Sequence, residues 1–162
     1  MELSQTCLHG TCVSIGDDGV LILGAPGSGK SDLALRLIDA PGSGISGEIL
    51  PCKLVSDDQV IVRRDQGRLV ASAPAALHGK LEIRGLGIVT LETQPSTPLA
   101  LIARLQAHAA IERLPAPATF DILGHLLPII EIDAASASAP ARLRAALNWL
   151  KRQNGACESV AR

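Results

Sequence analysis

A mixed, strand-rich α/β fold is predicted by three observations in the sequence. Apolar runs suited to strands outnumber helical patterns, and they are grouped instead of alternating regularly with helices. One such run, "VLILG", leads straight into the glycine-rich stretch "GAPGSGKS", Gly24 to Ser31. A helical pattern follows at once, so strand, glycine loop and helix occur in one continuous segment.

The elements follow in chain order. "TCVSIGDDGVLILG" predicts a hairpin: a strand over Cys12–Ile15, a turn on Gly16-Asp17-Asp18-Gly19, and a buried strand over Val20–Leu23. In "KSDLALRLIDA", Leu33, Ala34, Leu37 and Ile38 recur at helical spacing, and Pro41-Gly42 ends the pattern. Pro41–Pro51 is rich in turn residues and reads as an exposed connection. "KLVSDDQVIVRRDQGRLVASAP" predicts two strands, Leu54–Arg63 and Arg68–Ala73, about a turn at Asp65-Gln66-Gly67. "KLEIRGLGIVTLE" predicts a strand interrupted at Gly85 and Gly87, and "TPLALIARLQ" fits either a strand or a short helix. "FDILGHLLPIIEID" predicts a strand pair, Asp133–Pro140 a small-residue linker, and "PARLRAALNWLKRQ" a C-terminal helix with Pro140 at its start.

The chain has 162 residues, 47% hydrophobic and 19% charged, which suits one globular domain over residues 1–162. Aromatic content is 1%, carried by Phe120 and Trp149, and the net charge is −1, which argues against nucleic acid as a partner. The apolar runs fall short of the roughly 20 residues that span a bilayer, so no membrane association is expected. Cys7, Cys12, Cys52 and Cys157 lack paired spacing and no signal segment precedes them, which predicts a reduced, cytoplasmic protein. Cys7, His9 and Cys12 form C-x-H-x-x-C, but without a second ligand cluster they are not read as a metal site.

"GAPGSGKS" meets G-x-x-x-x-G-K-[ST] through Gly24, Gly29, Lys30 and Ser31, with Ala25, Pro26, Gly27 and Ser28 between. Such a loop turns backbone N–H groups toward phosphate oxygens at a helix N-terminus. Lys30 would neutralise the outer phosphates of ATP and Ser31 would ligate Mg²⁺. Catalysis also needs a carboxylate, and "LVSDDQV" supplies Asp57 and Asp58. Adjacent strand residues face opposite ways, so one of the pair is expected to act on substrate and the other to support it or the metal.

Three stretches together carry a resemblance: "HG" ahead of the loop, "GAPGSGKSDLALRLI" with "LVSDDQV", and "LEIRGLGIV". In these the chain resembles the catalytic C-terminal domain of bifunctional HPr kinase/phosphorylase, and "LEIRGLGIV" looks like that family's signature. The resemblance implies a phosphoenolpyruvate carboxykinase-like fold and an ATP- and Mg²⁺-dependent kinase of a serine on HPr or an HPr-like phosphocarrier. It assigns phosphate chemistry to His9, ATP holding to Lys30 and the loop, Mg²⁺ ligation to Ser31 and Glu82, and proton acceptance to Asp58 with Asp57 beside it. In the reverse phosphorolysis Asp58 would be the proton donor. The segment Arg84–Gly87 would serve both directions, and "IERLPAPATFDIL" makes Arg113 a further catalytic candidate. A homo-oligomer, a hexamer in the family, is implied.

The sequence also departs from the family. Residues ahead of His9 are few and begin with Met1, which leads us to expect a short form, like those of alphaproteobacteria, without the family's N-terminal domain. The helix-to-"LVSDD" connection is longer than usual, and the glycine-rich loop after "LEIRGLGI" is replaced by "VTLETQPSTPLALI". A proline- and arginine-rich segment is replaced near "LPIIEIDAASASAPARL", so kinase chemistry is expected ahead of its reversal. Two alternatives stay open: a small-molecule kinase or nucleotide hydrolase on the same loop, and a non-catalytic ATP-binding regulator.

Overall fold

The computed structural model describes residues 4–160, with side chains as far as 156; Met1 and the Cys157 side chain lie outside the described residues. Among these residues eleven strands and two α-helices follow in the order β1 (Gln5–His9), β2 (Thr11–Ile15), β3 (Asp18–Leu23), α1 (Lys30–Asp39), β4 (Cys52–Ser56), β5 (Gln59–Asp65), β6 (Arg68–Ser72), β7 (Lys80–Ile83), β8 (Gly87–Thr90), β9 (Ser96–Leu105), β10 (Ala118–Ile122), β11 (His125–Ile132) and α2 (Ala139–Val160). Among the described residues nine strands form one mixed sheet in the order β1-β5-β6-β9-β3-β2-β4, with β11 joined to β9 and β10 to β11.

The centre of the sheet is the run that enters the glycine loop. β3 is antiparallel to β2 and parallel to β9, so both of its edges are hydrogen-bonded and its apolar residues are buried on both faces. Alternation splits the core accordingly: Val20 and Ile22 join Leu33, Leu37 and Leu143 on the helical side, while Leu21 joins Val60, Val62 and Ile102 on the other. β9 answers the strand-or-helix question because its ten residues satisfy three neighbours. It pairs antiparallel with β6 over 96–98 and parallel with β3 and β11 further along.

Helix α1 ends against a buried cation. Arg144 of α2, 3% exposed, donates to the carbonyls of Leu37 and Gly42 at 3.0 and 3.2 Å and of Leu50 at 3.0 Å. These contacts tie the end of α1 and the expected 41–51 connection to α2, although the connection's surface is largely exposed as its composition predicts. The 133–140 linker is also held: Arg36 donates to the carbonyls of Ala134 and Ser136.

Three sequence expectations are corrected. The single strand Leu54–Arg63 is two, β4 and β5, because the backbone reverses at Asp57-Asp58, where Asp58 has φ 69°. "LEIRGLGIVTLE" is a hairpin of β7 and β8 forming a separate two-stranded sheet, turned through Gly85 and Gly87 at φ 85° and 115°. A further strand, β1, precedes the expected hairpin and pairs with β5, and the hairpin turn is only Gly16-Asp17.

Candidate functional site

Gly29 caps α1 in the left-handed conformation at φ 98°, which a side chain would strain, and Gly27 has φ 76°. The loop therefore curls over the helix N-terminus, where unpaired N–H groups and the helix dipole favour an anion. Lys30 is 7% exposed, and its Nζ donates to the carbonyls of its own loop, Gly24 at 2.9 Å and Ala25 at 3.0 Å. No carboxylate faces it within salt-bridge distance among the described residues, so its charge is available to a ligand phosphate. The Ser28 hydroxyl is buried in the same loop without a hydrogen-bond partner among the described residues. The lone cation and this hydroxyl fit the loop for phosphate.

Asp57 and Asp58 diverge because the strand breaks between them. Asp57 is 7% exposed, and its Oδ1 accepts hydrogen bonds from Ser31 Oγ and Thr11 Oγ1, both at 2.8 Å. Its Oδ2 accepts the Glu82 backbone N–H at 3.3 Å. Asp58 sits at the centre of a γ-turn: Gln59 N–H donates to the Asp57 carbonyl at 2.9 Å across it. That conformation is strained for a non-glycine residue, and it aims the Asp58 carboxylate outward.

His9 meets Asp58 through a second strand junction. Gly10, between β1 and β2, donates its N–H to the Asp58 carbonyl at 3.0 Å, which places His9 Nδ1 3.3 Å from Asp58 Oδ1. Only glycine fits there, since a Cβ at position 10 would lie 2.8 Å from the Ile22 carbonyl oxygen. The "HG" pair thus seats one strand junction on another.

These groups line one open cleft of about 620 Å³, together with Glu82, Ile83 and Arg84 of the β7–β8 hairpin and with Ala134 and Ala135. Of the loop candidates, Pro26, Gly27, Ser28, Gly29, Lys30 and Ser31 line this cleft with both carboxylates, whereas Gly24 and Ala25 do not line it and meet Lys30 through their carbonyls. Arg113 does not line it and is exposed on the connection between β9 and β10. Cys12 is buried in the core while Cys7 and His9 are exposed, and no group of three or more His, Cys, Asp or Glu among the described residues could hold a metal. Burial pushes the thiols of Cys12 and Cys52 up, that of Cys52 to about 12, which disfavours the reactive thiolate form.

Two parts of the site had no signal in the sequence. Thr11 reads as an ordinary strand residue, and the Ala134-Ala135 wall reads as a linker, because what each touches is distant along the chain. The charged surface of Arg84 was visible only as part of a glycine-rich segment.

Fold and cleft define a class: a G-x-x-x-x-G-K-S loop opening a helix from the middle of a mixed sheet, with a buried aspartate on the loop serine. The family model described as HPr Serine kinase C-terminal domain matches residues 2–159, and the chain belongs to that family. An HPr kinase/phosphorylase of Bacillus licheniformis is 33% identical over 142 residues, 85% of this chain and 43% of that protein. Another, of Clostridium tetani, is 40% identical over 85 residues, 52% of this chain and 25% of that protein. The chain therefore spans less than half the length of these curated relatives. The structure of the Hpr(Ser) kinase/phosphatase from Coxiella burnetii aligns over 96% of this chain and 97% of that one, with a TM-score of 0.79 and 25% identity. The mixed, strand-rich α/β fold expected from the sequence is the fold of this family. No helix among the described residues is long and apolar enough to cross a membrane.

Proposed function

We propose that this domain transfers the terminal phosphoryl group of ATP to a serine hydroxyl of HPr or an HPr-like phosphocarrier. One observation carries the reading: a strained, solvent-facing carboxylate, Asp58, stands with His9 in the cleft that contains the Lys30 loop. A cleft built only to hold nucleotide has no need of a strained acid at its mouth.

In this reading the loop N–H groups and Lys30 hold the phosphates, with Lys30 leaving the Gly24 and Ala25 carbonyls to meet them. Asp58 accepts the proton as the serine O–H breaks and the O–P bond forms, ADP leaving with the electrons of the cleaved P–O bond. His9 beside it steadies that carboxylate and shares the incoming charge. Ser31 with Glu82 would hold Mg²⁺, Asp57 standing behind Ser31; the ion would neutralise phosphate charge during transfer. The donor set suits it, since Mg²⁺ takes few protein oxygens and fills the rest of its shell from water and phosphate. Arg84 lines the mouth and Leu86 and Ile88 of the hairpin are exposed beside it, which supports reading this side as the one that meets a protein acceptor.

The test incubates the protein with ATP, Mg²⁺ and an HPr-like protein and maps phosphate by mass spectrometry, with Lys30→Ala as control. Phosphoserine on the acceptor in wild type alone supports the reading. Binding without transfer to any acceptor would leave a nucleotide-binding regulator, and turnover without protein acceptor a metabolite kinase or hydrolase. Release of phosphate from the phosphoserine carrier on adding inorganic phosphate would establish the reverse reaction.

A further inference from the structure

Thr11 is a polar side chain in an apolar place. It lies at the start of β2, is 0% exposed, and is fixed there by the β2–β3 pairing through its partner Ile22. Its hydroxyl has a single hydrogen, and that hydrogen goes to Asp57 Oδ1 at 2.8 Å. The same oxygen takes the Ser31 hydrogen, also at 2.8 Å. A hydroxyl whose hydrogen is committed inward presents only lone pairs outward. Ser31 Oγ thus faces the cleft as an acceptor for a cation, provided that the Asp57 carboxylate stays where it is. Glu82 N–H holds the other oxygen from the opposite side at a longer 3.3 Å. The short bond from Thr11 is therefore the stronger restraint on the carboxylate besides Ser31 itself.

We propose that Thr11 is a positioning residue for the divalent cation: its hydroxyl locks Asp57 so that Ser31 is oriented as a ligand before metal and nucleotide arrive. The inference rests on the reading of Ser31 as a metal ligand, but not on the identity of the phosphoryl acceptor. Removing the hydroxyl while keeping the shape leaves the buried carboxylate held only by Ser31 and the longer Glu82 N–H contact, so it is less restrained and fixes the Ser31 hydrogen inward less firmly.

The test uses ADP as probe, titrated calorimetrically into the purified protein once with Mg²⁺ and once with a chelator, so that the metal-dependent gain in affinity is read apart from turnover. Thr11→Val removes the hydroxyl at constant shape, Thr11→Ala removes it without setting a methyl against Asp57, and Thr11→Ser retains it; circular dichroism melts show that each is folded. Thr11→Val, or Thr11→Ala should the valine variant not fold, is expected to lose about tenfold of the Mg²⁺-dependent gain while metal-free ADP affinity is unchanged. Thr11→Ser is expected to restore the gain. An undiminished gain in the hydroxyl-free variants, an equal loss in Thr11→Ser, or a loss of metal-free affinity of the same size would each overturn the proposal. A wild-type protein that shows the gain yet phosphorylates no HPr-like acceptor would overturn the kinase reading and not this one.

Discussion

Asp57 and Asp58 are consecutive, carry the same functional group and line the same cleft, yet they belong to two regions of opposite character. The floor of the cleft is Asp57, Lys30 and Ser31, with Thr11 behind Asp57: Asp57, Lys30 and Thr11 are buried, and the carboxylate has a donor on each oxygen. The mouth is Asp58, His9, Glu82 and Arg84, exposed, with Asp58 on a strained backbone and Arg84 on a hairpin outside the main sheet. On the proposed reading, this contrast separates holding from reacting. A group that must keep a fixed geometry is buried and saturated with hydrogen bonds, while a group that must exchange a proton is left accessible to its acceptor.

The largest expected effect falls on the mouth. Asp58→Asn should lower phosphoryl transfer to the acceptor about 10²- to 10⁴-fold, measured as initial rate of phosphoserine formation. Its thermal midpoint and its ADP affinity should stay at wild-type values, since the side chain is solvent-exposed. A large drop in nucleotide affinity instead would erase the distinction between mouth and floor.

A cut beneath the floor should do the reverse. Leu101→Ala, at a fully buried position of β9, is expected to cost about 2–5 kcal/mol in urea unfolding while the folded fraction keeps its catalytic rate. Within the floor, Asp57→Ala should combine both effects. The loss of one buried carboxylate and its donors' partner should destabilise by about 1–3 kcal/mol and should also remove the Mg²⁺-dependent part of ADP binding. If Asp57→Ala were as stable as wild type, the hydrogen bonds of the floor would serve geometry alone.

The smallest effect is the most discriminating. Asp58→Gly relieves the left-handed strain at φ 69° and should raise stability by about 0.5–1 kcal/mol in the same unfolding assay, with transfer lowered as in Asp58→Asn. A destabilised glycine variant would mean that the turn is held by the Asp58 side chain and is not strained.

Much of this could be read from residues close together in the chain. The glycine loop, the amphipathic α1 and the apolar β3 appeared in the expected order because their signals are local: glycines that permit positive φ, helical spacing, and an unbroken apolar run. The opposite facing of the two aspartates was expected from strand alternation, but the structure reaches it differently, through a γ-turn that ends β4 and starts β5. The reversal hides in "SDDQ" because aspartate, unlike glycine or proline, does not announce a turn unless its neighbours demand one.

The sequence by itself determined which groups were on hand: a glycine-rich G-x-x-x-x-G-K-S loop, with its lysine and serine, and two carboxylates, together with the helix and strands that flank them. Tertiary structure alone decided which carboxylate is buried and which faces solvent. Asp57 is joined to Ser31 across 26 residues and to Thr11 across 46, and Asp58 is brought to His9 by a hydrogen bond between two strand junctions. Local propensity does not encode such partners; they are set when β1, β2, β4 and β5 find their places, and only then does one buried threonine acquire a carboxylate to hold.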